Sequence, residues 1–270
     1  MPDRPLPADL PAHPHARPPA APDWRRRPAA LLGPLLSPLL SYLLPSMCGL
    51  CGAGCDGVVC APCRAQYAAP RPARCARCAN PLPEGTVCGS CLADPPAFDA
   101  TVAAVDYAVP LDQLVLQLKF GGRLALAPWF AQLLRDAVVA RGDCASHGAL
   151  PDLLCPVPLG RRRLVERGFN QALEIARPLA ASLGVALHPA LAERTTETTA
   201  QSGVTPAERA RNVRGAFAVA DPDLIAGRHV GLVDDVMTSG HTLGELAATC
   251  KRFGAARVTN FVLARTPPHP

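Results

Sequence analysis

The sequence predicts an α/β protein: an open, mostly parallel sheet flanked by helices, preceded by a small module stapled by metal. Three observations carry this. From residue 98 onward, short apolar runs of strand length alternate with segments of helical period. Eight of the 12 cysteines fall into four Cys-x-x-Cys pairs between residues 48 and 91, which is the spacing of structural zinc sites. Residues 228–243 place an apolar run, two carboxylates, a loop of small hydroxylated residues and a helical pattern one after another. That succession is the layout of an anion site at a strand end.

The chain has 270 residues, enough for one or two domains with a real core. Its net charge of +5 admits an anionic ligand without demanding nucleic acid. Lysine is scarce and arginine abundant. The forked guanidinium suits phosphate, although high-GC coding gives the same bias. Thiols kept for metal imply a reducing compartment, hence the cytoplasm.

Taken in order, residues 1–28 are rich in Pro, Ala and Arg without apolar period and predict a disordered tail. Residues 29–46 are apolar but broken by Pro34, Pro38 and Pro45. With Arg25, Arg26 and Arg27 ahead of it, this stretch has the outline of a signal peptide. It starts late, however, has no convincing small-x-small cleavage site and runs directly into the cysteines. It is too short and too broken to span a membrane. A Pro-kinked amphipathic helix packed on the body is the preferred reading, and a peripheral membrane contact is the alternative.

Residues 47–97 form the cysteine module, with pairs Cys48/Cys51, Cys60/Cys63, Cys75/Cys78 and Cys88/Cys91. Each pair is a knuckle that puts two sulfurs on one metal, and two knuckles close a tetrahedral site. The simplest arrangement is two structural zinc ions, one in Cys48/51/60/63 and one in Cys75/78/88/91; interleaved pairing stays open. A redox role requires a pair at a helix start after a strand, which the Gly-, Pro- and Ala-rich surroundings do not suggest. Cys55 is an unpaired thiol in a glycine loop. With few large apolar residues, the segment needs such staples to fold.

Residues 98–266 are the α/β domain. Residues 100–109 predict a strand with Val102 and Ala104 alternating. Residues 111–119 predict a helix with Leu111, Leu114, Val115 and Leu118 on one face, ending in Lys119-Phe-Gly-Gly122. A second helix covers 124–139. A buried strand at 152–157 is broken by Pro156-Val-Pro158. Four arginines follow, Arg161, Arg162, Arg163 and Arg167. Alone they would be a solvated face, but after a strand end they face the cleft. A helix at 172–183 and a short strand at 185–187 come next. Residues 188–213 have few apolar anchors: 195–202 read as polar and mobile, and Thr205-Pro-Ala-Glu208 is a capping box that opens a short helix. Strands are predicted at 216–220 and 230–233, the latter ending before Asp234 and Asp235. A loop, Thr238-Ser-Gly-His-Thr242, leads to a helix with Leu243, Leu246, Ala247, Cys250 and Phe253 at helical spacing and Gly254 as its stop. A final strand covers 257–264. Cys144, Cys155 and Cys250 sit in apolar patterns and read as core.

The loop's chemistry is specific. Free backbone N–H groups and the positive end of the helix dipole face it, Gly240 lets a ligand approach the backbone, and the hydroxyls add donors. Carboxylates directly before such a cradle repel phosphate, unless the ligand has hydroxyls at one end and phosphate at the other. That is a sugar phosphate. Solvated acids and a capped helix would explain a lone Asp-Asp, but not the whole pattern.

This stretch resembles the ribose-5-phosphate motif of the type I phosphoribosyltransferases. There the acidic pair takes the ribose 2- and 3-hydroxyls of phosphoribosyl pyrophosphate, and the loop takes the 5-phosphate. Carried over, Asp234 and Asp235 take the hydroxyls. Val236, Met237, Thr238, Ser239, Gly240, His241 and Thr242 form the ligand-binding stretch behind them, with Ser239 where the family usually has a second Thr. Lys119, Pro156-Val-Pro158, Arg167-Gly-Phe-Asn-Gln171, Gln201, Arg209, Asn212, Phe217 and the upstream cysteine module extend the likeness. The chain is identified as a member of the ComF family over about residues 47–266. The resemblance implies a type I phosphoribosyltransferase-like domain behind a zinc-ribbon-like module. It also implies Mg²⁺ with phosphoribosyl pyrophosphate, and Asp234 and Asp235 as catalytic residues. Arg163 and Arg167, and after them Arg162, are the candidates for catalytic contact with pyrophosphate, and Arg194 and Arg209 the candidates to close over the site from the mobile segment. It links the chain to DNA uptake in competent bacteria, with single-stranded DNA or a DNA-uptake protein as candidate partner. The implied reaction is transfer of phosphoribose to an unidentified acceptor. The alternative is a non-catalytic sensor of phosphoribosyl pyrophosphate or a nucleotide.

Overall fold

A computed structural model describes residues 46–69, 73–141, 150–195 and 215–267. The expected tail, nearly all of the apolar 29–46 stretch, Cys144, Gln201, the capping box at Thr205, Arg209 and Asn212 lie outside the described residues.

The cysteine module is two small units of the same design. In the first, β1 (Ser46–Met47) and β2 (Gly54–Cys55) pair antiparallel, and Cys60 opens α1 (Ala61–Tyr67). In the second, Cys88 opens α2 (Gly89–Ala93). The backbone N–H of the third cysteine donates to the first cysteine's sulfur in both units: Cys60 N to Cys48 Sγ and Cys88 N to Cys75 Sγ, each 3.3 Å. The later pair of each unit therefore does start a helix, contrary to the expectation from composition. What separates it from a redox pair is the second pair brought against it.

The sheet holds β3 (Ala100–Asp106), β4 (Leu153–Pro156), β5 (Ala186–Leu187), β8 (His229–Met237) and β9 (Arg257–Arg265), in the order β3-β9-β8-β4-β5. Every pairing is parallel. Such a sheet must be covered on both faces, so its strands read as continuous apolar runs. The alternation expected in β3 is therefore absent: all of its residues are buried, and it ends at Asp106, leaving Val109 80% exposed.

Helices α3 (Leu111–Gly121), α4 (Leu126–Ala140) and α6 (Gln171–Leu183) cover one face. There Leu114, Leu118, Phe130, Leu134, Ile175 and Leu179 pack on Leu154, Val233 and Phe261. Helix α7 (His241–Arg252) covers the other, with Leu243, Leu246 and Cys250 on Cys155, Leu232 and Val262. At the sheet centre Gly231 has no room for a side chain. A Cβ there would sit 2.5 Å from Leu154 Cδ2 and 2.9 Å from Phe261 Cε2.

Helix α5 (Arg161–Arg167) lies between β4 and α6 and buries none of its residues. The short strands β6 (Ala192–Arg194) and β7 (Phe217–Val219) pair antiparallel. Strand β6 falls where few anchors were expected; buried Leu191 and Ala192 hold it. Arg194, expected to close over the site, stands on this ladder with its guanidinium 5.5 Å from the centre of the Phe217 ring.

The second cysteine unit covers the outer edge of β3. Ala76 O accepts from Thr101 N at 3.2 Å, and Arg141 donates to both Thr101 O and Ala76 O. Arg74 closes the corner with an ion pair to Asp106 at 2.7 Å.

Candidate functional site

Strand β8 carries the acidic pair. It runs beyond Val233, where the sequence suggested it would stop, and pairs with β9 at Asp234↔Val262 and Val236↔Ala264. The carboxylates are thus fixed by sheet register rather than held in a turn. Each accepts a local bond: Asp234 Oδ1 from Asp235 N at 2.9 Å, Asp235 Oδ1 from Val236 N at 2.8 Å.

Asp235 is 3% exposed, and its Oδ2 lies 2.9 Å from Lys119 Nζ at the end of α3. The approach is off the hydrogen-bonding direction, so Oδ2 has a charge partner but no hydrogen-bond partner. Burial first, and then the Asp235 charge, push the Asp234 carboxyl well above the ordinary carboxylate range; Lys119 pulls it the other way. One lysine thus faces a buried acid, Asp235, and a half-buried one, Asp234. Lys119 is one of the chain's two lysines, and the sequence pointed to it only through the family resemblance.

Removing Lys119 should be costly, because breaking a mostly buried pair strands a charge at about 3–5 kcal/mol. Lys119→Met is expected to lose that order of stability in urea melts, and Lys119→Arg much less. A loss below about 1 kcal/mol would show the pair to be solvated.

The arginines of α5 divide. Arg162 pairs in solvent with Glu166 at 2.8 Å. Arg167 turns to the cleft: it donates to Gln171 Oε1 at 2.9 Å and lies 5.0 Å from the centre of the Phe120 ring. Burial lowers its pKa, the Asp235 charge raises it, and the Arg163 charge lowers it, which places both acid and second arginine within electrostatic reach. Arg163 is half-buried. Asn170 anchors the approach. Its Oδ1 caps α6 by accepting from Ala172 N at 2.9 Å, while its Nδ2 donates to Val157 O at 3.0 Å.

The loop is shorter than its sequence suggested, because α7 already begins at His241. Thr238, Ser239 and Gly240 form the bend, and His241 and Thr242 are the first helical residues. Gly240 caps the helix at φ +84°, where a Cβ would also meet Met237 Cε at 2.6 Å. The first-turn amides have no partner within the helix and face the bend. Met237 is buried beneath it. Ser239 Oγ and His241 Nδ1 are 3.0 Å apart, so the His ring is held by the loop. A larger cavity of about 720 Å³ lies elsewhere, lined by Ala61, Ala65, Ala104 and Ala137 among others, and takes in no residue of this site.

The eight knuckle cysteines converge in sequential pairs. In each of Cys48/51/60/63 and Cys75/78/88/91 the sulfurs lie within 4.8 Å of one another, and interleaving is excluded. Burial pushes Cys48 and Cys75 up, but the surrounding backbone amides outweigh it and hold both at about 6. The fourth cysteines move the other way. Cys63 reaches about 12, chiefly through its hydrogen bond with Cys60, and burial pushes Cys91 up. Four thiols so close cannot all ionise unless a cation joins them, and soft sulfurs in a closed tetrad suit zinc.

The chain matches the double zinc ribbon domain over residues 39–92 and the phosphoribosyl transferase domain over residues 170–269. It is 36% identical over 228 residues to DNA utilization protein YhgH of Salmonella typhimurium, covering 83% of this chain and 98% of that protein. It is 38% identical to the Escherichia coli K12 protein of that name, over 71% of this chain and 84% of the other. It belongs to the ComF family. A further ComF relative, Competence protein F of Haemophilus influenzae, is 33% identical over 66% of this chain and 78% of that protein. The parallel sheet and the two four-thiolate units accord with both domain matches, which makes the chain a phosphoribosyltransferase-like ComF protein.

Proposed function

We propose that the end of β8 binds phosphoribosyl pyrophosphate with Mg²⁺ and that the protein transfers phosphoribose to an acceptor. The observation that carries this is the continuous path from Asp234 and Asp235, fixed on a central parallel strand, through a left-handed glycine into a helix N-terminus. In this reading the carboxylates accept from the ribose hydroxyls, and the loop amides, with Thr238, Ser239 and Thr242, cradle the 5-phosphate. The acidic pair is a hard-oxygen donor set short of positive charge, which suits Mg²⁺. Bound with the ligand, Mg²⁺ would neutralise pyrophosphate charge. Arg163 and Arg167 face the leaving pyrophosphate and offset the charge it gains as the anomeric carbon becomes oxocarbenium-like. The chain's contribution is placement and charge rather than covalent chemistry.

On this reading, residues 47–97 are the zinc module and 98–266 the transferase-like domain, preceded by the tail at 1–28 and the apolar segment at 29–46. No helix among the described residues is long and apolar enough to cross a membrane. The metal thiolates suit the cytoplasm. Single-stranded DNA or a DNA-uptake protein is the proposed partner, from the names its relatives carry.

The test is pyrophosphate release from phosphoribosyl pyrophosphate and Mg²⁺ against pools of bases, nucleotides and single-stranded DNA, beside calorimetric binding of the donor. Acceptor-dependent release supports transfer. Binding without release with any pool would favour a sensor, and no binding would remove the reading.

A further inference from the structure

We propose that Arg265 is a positioning residue that couples the second thiolate site to the phosphate loop, so that metal at Cys75, Cys78, Cys88 and Cys91 and ligand in the loop stabilise one another. This rests on reading the loop as a ligand site. Arg265 is the last residue of β9 and is 5% exposed. Its Nε donates to Cys78 O at 2.9 Å. Its Nη1 donates to Met237 O at 3.0 Å and to the carbonyls of Thr238 and Thr266. Cys78 completes the first knuckle of the second site; Met237 and Thr238 are where β8 becomes the loop. One rigid planar group therefore holds both, and its donors cannot satisfy one side alone when the other shifts.

Two further contacts run the same way. Phe98, at the module's exit and 3% exposed, lies 3.8 Å from where a Gly240 side chain would begin. Cys75, Cys78 and Cys91 share one buried cluster with Met237 and Leu243. Between knuckle and loop lies a cavity of about 460 Å³, walled by Cys78, Cys91, Ser239, His241, Glu245 and Arg265 among others. The two parts thus meet through Arg265 and Phe98, both of which line this cavity. The first thiolate site is placed differently: Gly49 stands against Leu114 of α3, and Leu50 and Val58 pack on the opposite face of the sheet.

Linkage makes the coupling reciprocal, and it can be read from the metal side. The experiment follows zinc transfer from the full-length, zinc-loaded protein to a chromophoric chelator, with and without phosphoribosyl pyrophosphate and Mg²⁺. One of the two zinc ions should leave about five- to tenfold more slowly with ligand, a usual size for coupling between sites. Arg265→Lys keeps the charge but loses the fork. It should begin with the same zinc content, lose the protection, and bind ligand more weakly in calorimetry. A protection that survives in Arg265→Lys would overturn the proposal, and so would protection of the ion that Cys48→Ser lacks. Should Arg265→Lys not fold, equal release with and without ligand in the unmodified protein overturns it. If the unmodified protein gives no binding heat with phosphoribosyl pyrophosphate, the functional reading falls instead. Amide exchange of residues 238–243 in zinc-loaded Arg265→Lys then decides the coupling: faster exchange supports it, unchanged exchange removes it.

Discussion

Changing Asp234 and Asp235 together to Asn is expected to weaken phosphoribosyl pyrophosphate binding by at least about tenfold. Each charged acceptor contributes about 1.5–3 kcal/mol to a hydrogen bond with a ribose hydroxyl, and an amide keeps only part of that. A solvated acidic turn predicts the opposite sign, because removing negative charge favours a phosphorylated ligand. Calorimetry on the double variant, with and without Mg²⁺, separates the two, and unchanged or tighter binding would remove the sugar-phosphate site. Stability should move the other way at Asp234 alone. Its folded-state pKa is raised, so its contribution is fully present below the unfolded value and is lost as pH rises through the folded one. At neutral pH its charge opposes the ligand-free fold. Asp234→Asn should therefore be more stable than the parent in urea at pH 8, with the gap narrowing toward pH 4. Asp235→Asn should gain nothing, since it strands Lys119.

Loss of metal is the other large effect expected. Structural zinc in four-thiolate sites contributes about 10–16 kcal/mol, as much as or more than a typical domain's net stability of about 5–15 kcal/mol. Elemental analysis should find two zinc ions per chain, consistent with the two tetrads. Cys48→Ser and Cys75→Ser should each lose one of them. The consequences should differ, because Cys75 lies in the cluster beneath the loop while the first unit rests on the α3 side. Cys75→Ser should lose protease resistance in the α/β domain as well as in the module, and Cys48→Ser in the module mainly. A metal-free protein that melts at the same temperature as the loaded one would reject the staple argument.

Much of this molecule could be read from its residues. The helix faces of α3, α4 and α7, the proline break after β4 and the knuckle cysteines all follow from local chemistry, and the structure places each close to where the sequence did. The misses share a cause. Strand β8 runs on through Asp234 and Asp235 because its neighbour β9 supplies partners, and no local signal marks a carboxylate that a sheet will accept. Strand β6 was invisible because it consists of three residues held by Leu191, a partner strand and an arginine on an aromatic ring. Arg265 lay just past the strand expected at 257–264 and carried no local signal of a role. Its role depends on Cys78 and Thr238, far apart in the chain and joined only when the sheet forms. The ion pair between Lys119 and Asp235 is of the same kind.

The covered edge of β3 carries a further consequence. An open parallel sheet ends in rows of unpaired backbone groups, and here part of one row is taken by Ala76 O and the Arg141 guanidinium. Ala76 stays in place only while the second thiolate unit keeps its shape; Arg141, at the end of α4, remains. A chain that emerges from synthesis short of zinc would thus uncover more of the strand Ala100–Asp106, apolar at most of its positions, and leave it able to recruit another copy. The metal then guards solubility as much as fold, and zinc starvation would show itself first as self-association.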